Sequence, residues 1–532
     1  MKKVINLVLI ALIIGVTSQK ALAQNASIPN VMDIKNRRQS GAILEENKLV
    51  GYYVFYFKEK QDKKNNAYEI EIFDDNYNSV KSFEMIRPKG SYLLEMVYNG
   101  KVFMMFFYDR KEGYEFVTFD KTGQEVGKLL VPAKEIPRYD VSRSAQALSS
   151  QTENVTIYPF GEEGFVRQSY SENKKLGYSL TAYDNSLKEK WKLESDPAAT
   201  KIQTIEINQV NDQFITATVY KKKSLTTRKM DLAFVIINSA NGKLIKEIPM
   251  GNEDEGKETV LRTYLDKEDS KIILIGEYYK PGDDFLKDKS QGIIVKEVSY
   301  SGDVLGTQQY GWDSEVAQFK NDNLDEEDKK EAKDGFSIFF HDVIRSNSNG
   351  HLFLVGEQFR KQVSAGGVAM NVVSGALGGG QAAANFEIRI SNMIIIELDD
   401  KKEMVDFKIV KKKRTSVFLD PGMGLYGSAF LGYYINARGA FDYSFTSRQV
   451  EKDEFTVVYT DYDRKESKGD KKNDVMLGVL HFSGGEMEAS RVPINTEAKN
   501  MWISPAKPGH VSISEYYKKE KRLDMRLEKL TY

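Results

Sequence analysis

The stretch Gly113–Val131, GYEFVTFDKTGQEVGKLLV, constrains this chain more than any other. YEFVTFD has the apolar alternation of a strand, KTG is turn chemistry, and QEVGKLLV reads as a returning strand. Variants recur down the sequence, among them FVTFDKTGQEVGK itself, FVIINSANGKLIKE and VKEVSYSGDVLGT. The repeated unit is therefore a β-hairpin. A small meander of such strands leaves apolar surface on both faces and cannot stand alone, so the repeats must stack on one another.

Counting outward from that hairpin gives sets of four strands. The first set is Ser40–Lys48, Gly51–Phe57, Tyr68–Asn76 and Val80–Ile86. The second adds Tyr92–Tyr98 and Val102–Tyr108, joined by Asn99-Gly100, to the opening hairpin. Five more sets begin at Val155, Ile202, Thr259, Phe336 and Gly439. The C-terminus offers only Met501–Pro505, His510–Tyr516 and Leu523–Leu530, and a strand from Gln24–Lys35 is expected to complete it. Connections within a set are short, whereas packed sandwiches need long Greek-key returns. Radial stacking buries both faces of every set, so the expectation is an all-β chain: a β-propeller of about eight four-stranded blades, or seven if one weak set is a cap. Residues 24–532 then form a single propeller domain.

Composition narrows function by exclusion. Lys+Arg 76 against Asp+Glu 77 provides no net basic charge, so no nucleic-acid partner is expected. With no cysteine, disulfides, thiolate metal sites, a cysteine nucleophile and a lipoprotein-type anchor are excluded. The four histidines, His341, His351, His481 and His510, are too far apart for a helical metal pair. Asp74-Asp75 and Asp283-Asp284 read as turns, and no cofactor is expected. At the N-terminus, Lys2-Lys3, the apolar Val4–Val16 and Ala21-Leu22-Ala23 have the form of a signal peptide over residues 1–23. That pattern predicts export to the periplasm or surface of a bacterium, consistent with the lack of cysteine.

The three hairpin copies resemble the outer hairpins of bacterial exported propeller proteins of uncharacterised function. Trp502-Ile503-Ser504-Pro505 followed by Pro508-Gly509-His510-Val511 is loosely similar to the SPDG strand-initiating motif of TolB-like propellers, once and without its Asp. The resemblance implies an architecture and carries no catalytic residues.

Function is expected where the repeat is interrupted, because loops on a rigid scaffold carry recognition. Insertions fall at 313–335, a charged stretch read as a solvated helix or loop, at the charge-free 362–386, and at 415–438. The charge-free stretch suits membrane contact, a plug over one propeller face, or a Gly/Ala linker. Candidate contacts with a ligand or partner are His341 and Asp342, read as ending the strand FSIFF, with Asp420, Tyr426, Tyr433, Tyr434 and Arg438 in the third insertion. Lys411–Arg414 reads as a solvated strand end. The expected function is an exported non-catalytic binding or scaffolding propeller with a protein or glycan partner. A hydrolase of glycans or peptides and a membrane-associated envelope component are the alternatives. An enzyme predicts clustered carboxylates with displaced pKa values near the axis, and a scaffold predicts an aromatic patch around Gln362–Arg438.

Overall fold

The structure is a computed structural model that describes residues 25–45, 48–137, 140, 156–171, 177–224, 229–252, 254–319, 337–363, 386–420, 423, 426–464 and 473–531. The segment 1–23 expected to be a signal peptide, most of 313–335, and 364–385 lie outside these residues. The fold is a β-propeller with eight four-stranded blades, seven of them meanders in sequence order and one closed by the N-terminal strand. Two compact units make up the chain: one holds the residues up to Arg87 with Thr496–Leu530, the other Pro88–Asn495 with Thr531.

The first unit contains two blades. One is the meander over 33–88. The other has strands Asn500–Pro505, His510–Tyr517 and Arg522–Lys529, and its fourth strand is Asn25–Ile28 from the opposite end of the chain. Ala26 pairs with Met525 and Ile28 with Leu523, so the expected N-terminal closing strand is present. Ile28, Val31, Tyr52, Tyr56, Leu523 and Met525 share one core between the two blades.

The second unit contains six blades, over 91–132, 157–194, 202–249, 262–311, 338–410 and 443–493. Their middle strands are buried on both faces, as Val102–Asp109 and Lys271–Tyr278 show. Core clusters join each blade to the next. Ile273, Ile293 and Val295 of one blade, for example, pack on Phe340, Leu354 and Ile394 of its neighbour.

The repeated hairpin owes its shape to one carboxylate. Asp120 accepts the backbone N–H groups of Thr122 (2.8 Å) and Gln124 (3.0 Å). Asp74, Asp184 and Asp399 cap the same turn in their own blades. The residue three positions after each Asp is left-handed: Gly123 at φ 88°, but Tyr77 and Leu187 at 63° and Lys402 at 69°. A left-handed non-glycine costs about 1–2 kcal/mol. Tyr77 and Leu187 offset that by burying their side chains, a gain of about 2 kcal/mol each.

In the second unit, every connection between strands one and two or three and four is tight. The long ones all join strands two and three or pass between blades: 133–156, 279–291, 312–337, 364–385 and 411–442. Alternating strand direction puts the strand ends that flank all of these at the same end of the blades.

One expectation changes. Residues 415–438 are more than a joining segment: Thr415–Phe418 is a strand paired with Phe386–Leu398, and Ser428–Ala437 is a helix. Residues 313–319 carry a helical turn at Glu315–Gln318 in which only Val316 is buried, and Val316 and Trp312 join the neighbouring core. The blade count is eight, as expected. Among the described residues, no helix is long and apolar enough to cross a membrane.

Candidate functional site

The site is built at the loop-bearing end of the blades over 262–311, 338–410 and 443–493. Its floor is a buried charge cluster. Glu357 lies in the second strand of its blade, Leu352–Val363, beside a register shift to Phe359. Its side chain has no exposure. It accepts the backbone N–H groups of Asp442 (3.2 Å) and Tyr443 (3.1 Å), which fixes where the next blade's inner strand begins. Lys412, just past the strand Met404–Val410, places Nζ 3.0 Å from Glu357 and 2.5 Å from Asp442. Thr415 donates its hydroxyl to the same Asp442 oxygen (2.8 Å). The expectation that Lys411–Arg414 is solvated is therefore wrong at Lys412: a lysine stem can be drawn into the core when two carboxylates wait there.

His341 lies mid-strand in Ile338–Arg345, at a bulge between Phe340 and Asp342, and not at a strand end as expected. Its imidazole stacks on Tyr443 (4.4 Å, 6°) and meets Phe441 edge-on. Its Nε2 is 3.3 Å from Glu357 without a directed hydrogen bond. Burial pushes its pKa down, so the ring is neutral near pH 7. Asp342 points elsewhere, to Arg448 at 3.0 Å.

Burial and the neighbouring charges compete over the protonation of the cluster. It raises the Glu357 carboxyl, but Lys412 and His341 outweigh it and hold Glu357 below its ordinary value. Burial also raises Asp442; Glu357 adds to that and Lys412 only partly reverses it, leaving Asp442 at about 6. As pH falls, Asp442 takes a proton before Glu357. In the neighbouring blade, burial raises Glu277 to about 7, and its carboxylate accepts the Tyr279 hydroxyl (2.8 Å).

The roof is the helix Ser428–Ala437. Leu431 and Ile435 are buried on Phe339, Phe359 and Ile388, and Gly432 is the residue that lets the helix come this close: a Cβ there would lie 3.0 Å from Phe359. Tyr433 donates its hydroxyl to the Val260 carbonyl, tying the helix to the adjacent blade. Tyr426 stacks on Phe430 (4.4 Å), and its carbonyl accepts Lys361. On the outer side, Tyr434 and Arg438 both bond Asp420, and the guanidinium lies 5.2 Å from the Tyr434 ring centre. Phe418 beside them is 68% exposed.

The candidates thus divide. Asp420, Tyr434 and Arg438 form one open surface group. Tyr426 and Tyr433 serve helix docking, and His341 belongs to the buried floor. Glu357, Lys412, Asp442, Arg262, Tyr443 and Glu277 were not legible as site residues. Each sits in an ordinary strand or a charged run, and only the meeting of three blades sets them apart. Among the described residues, no group of His, Asp and Glu has the arrangement to hold a metal ion.

No curated protein matches the chain in sequence. Among solved structures it is similar to prolyl oligopeptidase B from Galerina marginata, at 8% identity and TM-score 0.39, over 92% of this chain and 56% of that one. It is similar to the β-propeller domain of the Trilobed protease from Pyrococcus furiosus, at 9% and 0.34, over 85% and 97%. It is also similar to the BP39L lectin from Burkholderia pseudomallei, at 8% and 0.31, over 89% and 99%. The chain spans about half the length of the prolyl oligopeptidase it matches. None of these likenesses bears on activity. A family model matches residues 1–531, and the chain belongs to that family, a family of unknown function (DUF6770).

Proposed function

We propose that this member of the DUF6770 family is an exported binding propeller whose partner, a protein or a glycan, engages the outer surface made by Phe418, Asp420, Tyr434 and Arg438. The observation that carries the reading is a contrast in accessibility. The carboxylates expected of an enzyme are there, with displaced pKa values, but Glu357 is wholly buried and saturated by Lys412 and two backbone N–H groups. A general acid or nucleophile must reach its substrate. The aromatic and charged groups outside are open, and a flat ring beside a guanidinium–carboxylate pair suits recognition of polar, ring-bearing or peptide surfaces.

Two measurements test it. Screening the purified chain on glycan and peptide arrays should yield a ligand whose affinity drops at least about tenfold in the Tyr434→Ala/Arg438→Ala pair, the loss expected of central aromatic and Arg contacts. An unchanged affinity removes the surface from the proposal. Fractionation of cells making the chain with and without residues 1–23 tests export; retention of both forms in the cytoplasm sinks that part.

The hydrolase reading rests on Asp442 at about 6 and Glu277 at about 7, values suited to proton transfer. It requires turnover of an array ligand that is lost in Glu277→Gln.

A further inference from the structure

Buried cations in the second unit meet carboxylates. Arg167 is 2.8 Å from Asp140, Lys296 is 2.5 Å from Glu258, and Lys412 holds two. Arg262 is different. It is the first residue of the inner strand Arg262–Asp266, deep at the loop-bearing end. Its guanidinium donates from Nε to the His341 carbonyl (3.0 Å) and from NH1 to its own neighbour, the Leu261 carbonyl (2.7 Å). It lies 4.9 Å from the Phe339 ring centre. Two carbonyls and a ring solvate the cation in part, but no carboxylate among the described residues forms an ion pair with it. Asp342 acts on it only from a distance and is itself bonded to Arg448. Glu357 meets His341 at the imidazole, whereas Arg262 meets it at the carbonyl.

A partly enclosed guanidinium whose donors meet only carbonyls keeps charge that a ligand carboxylate can satisfy. The surroundings fit that role. Tyr433 and Tyr443 flank Arg262, and burial raises both phenols well above their ordinary range, so they remain protonated at neutral pH. The Tyr443 hydroxyl shares a bond with Thr446 (2.9 Å) in which either oxygen can donate. Arg262, Tyr433 and Tyr443 each keep part of their surface open to solvent. The planar fork of an arginine matches the two oxygens of a carboxylate.

We propose that Arg262, with Tyr443 beside it, is a binding site for the carboxylate group of a small ligand or of an acidic sugar or peptide terminus. One guanidinium, with Asp342 acting on it and Glu206 and Glu277 acting on Tyr433, suits a single negative charge better than a phosphate dianion. The site is separate from the outer Tyr434–Arg438 surface, and neither proposal depends on the other.

The test is thermal shift and calorimetry on the whole purified chain with acetate, D-glucuronate or inorganic phosphate, against chloride at matched ionic strength. A ligand that binds only the folded state raises Tm with concentration. The expected result is a rise with acetate and glucuronate, a smaller one with phosphate, and at least about tenfold weaker carboxylate binding in Arg262→Met. Lys243→Met, at an exposed lysine outside both surfaces, should bind these anions as the parent does. No carboxylate-specific shift in the parent chain overturns the proposal, and so does an equal shift in Arg262→Met. A shift with phosphate alone overturns the carboxylate assignment. If Arg262→Met does not fold, the parent's response and its weakening in Tyr443→Phe decide the matter.

Discussion

Lys412 Nζ stands 3.0 Å from Glu357 in a contact where neither side chain is exposed, and Asp442 closes the cluster from the other side at 2.5 Å. The lysine comes from the connection after one blade, the glutamate from that blade's second strand, and the aspartate from the start of the next. Removing the cation strands two carboxylates in the core. Lys412→Met is expected to cost about 3–5 kcal/mol in urea unfolding, the range for breaking a buried ion pair. Glu357→Gln added to Lys412→Met should recover part of it. Equal losses in single and double variants would show that charge is not the cause.

Asp453 gives an acid-side prediction. It accepts the Ser346 hydroxyl (2.7 Å) and the backbone N–H groups of Asn347 (2.7 Å) and Ser348 (2.9 Å), bonding the turn of one blade to the next. Burial alone would raise its carboxyl, but these donors together outweigh it and hold it at about 2. A depressed folded value adds stability that is complete above the unfolded pKa, about 3.9, and is lost as pH falls through about 2. Asp453→Asn should therefore flatten the stability curve between about pH 4 and pH 2. A parent and variant with parallel curves in that window would refute the assignment.

Asp442 works in the opposite sense. Its folded pKa, about 6, is raised above the unfolded value, so its protonation favours the folded state at low pH, and that contribution disappears as pH rises through about 6. Asp442→Asn should remove a downward step in stability between about pH 4 and pH 6, read from denaturant midpoints in that interval.

Trp191 and Gly242 form a steric lock between two blades. The indole N–H donates to the Ser239 carbonyl (2.8 Å), and a Cβ on Gly242 would fall 2.4 Å from the ring, at φ 69°. Gly242→Ala is expected to cost about 1–3 kcal/mol from overpacking and left-handed strain. In a Trp191→Phe background the cost should shrink, giving a measurable coupling in a double-mutant cycle. Additive losses would mean that the ring is not the obstacle.

The closing strand is thin but well used. Ile28 is 2% exposed, and Ser27 bonds Asp524 (2.7 Å). Ile28→Asp should cost at least about 1.5–3 kcal/mol, the burial energy of that side chain. It should also speed proteolysis of the strand Arg522–Lys529, whose edge it covers. Unchanged proteolysis would show that the strand adds little.

Much of the fold was legible from residues alone. Asp120 with Gly123 marks one turn plainly, and Asn241-Gly242 and Ser301-Gly302 mark two more. Strand alternation has period two whatever surrounds it, so the blades could be counted, and the three strands at the C-terminus called for a partner that the Asn25–Ile28 strand supplies. The candidate site was legible only in its outer layer. Tyr434, Arg438 and Asp420 stand out because they interrupt the repeat. His341 stood out too, but its place was misread as a strand end; a bulge sets it mid-strand beside Tyr443.

What the sequence determined by itself is the blade unit, because hairpin turns and strand alternation are local: each needs only residues within a few positions of one another. What the tertiary structure decided is which charges are buried and paired. Lys412 reads as one of four solvated cations until Glu357 and Asp442 arrive from 55 residues before and 30 after it. Arg262 reads as an ordinary strand residue until Phe339, Tyr433 and Tyr443 enclose it. Desolvation is a property of everything within a few ångströms in space, and no local pattern in the chain records it.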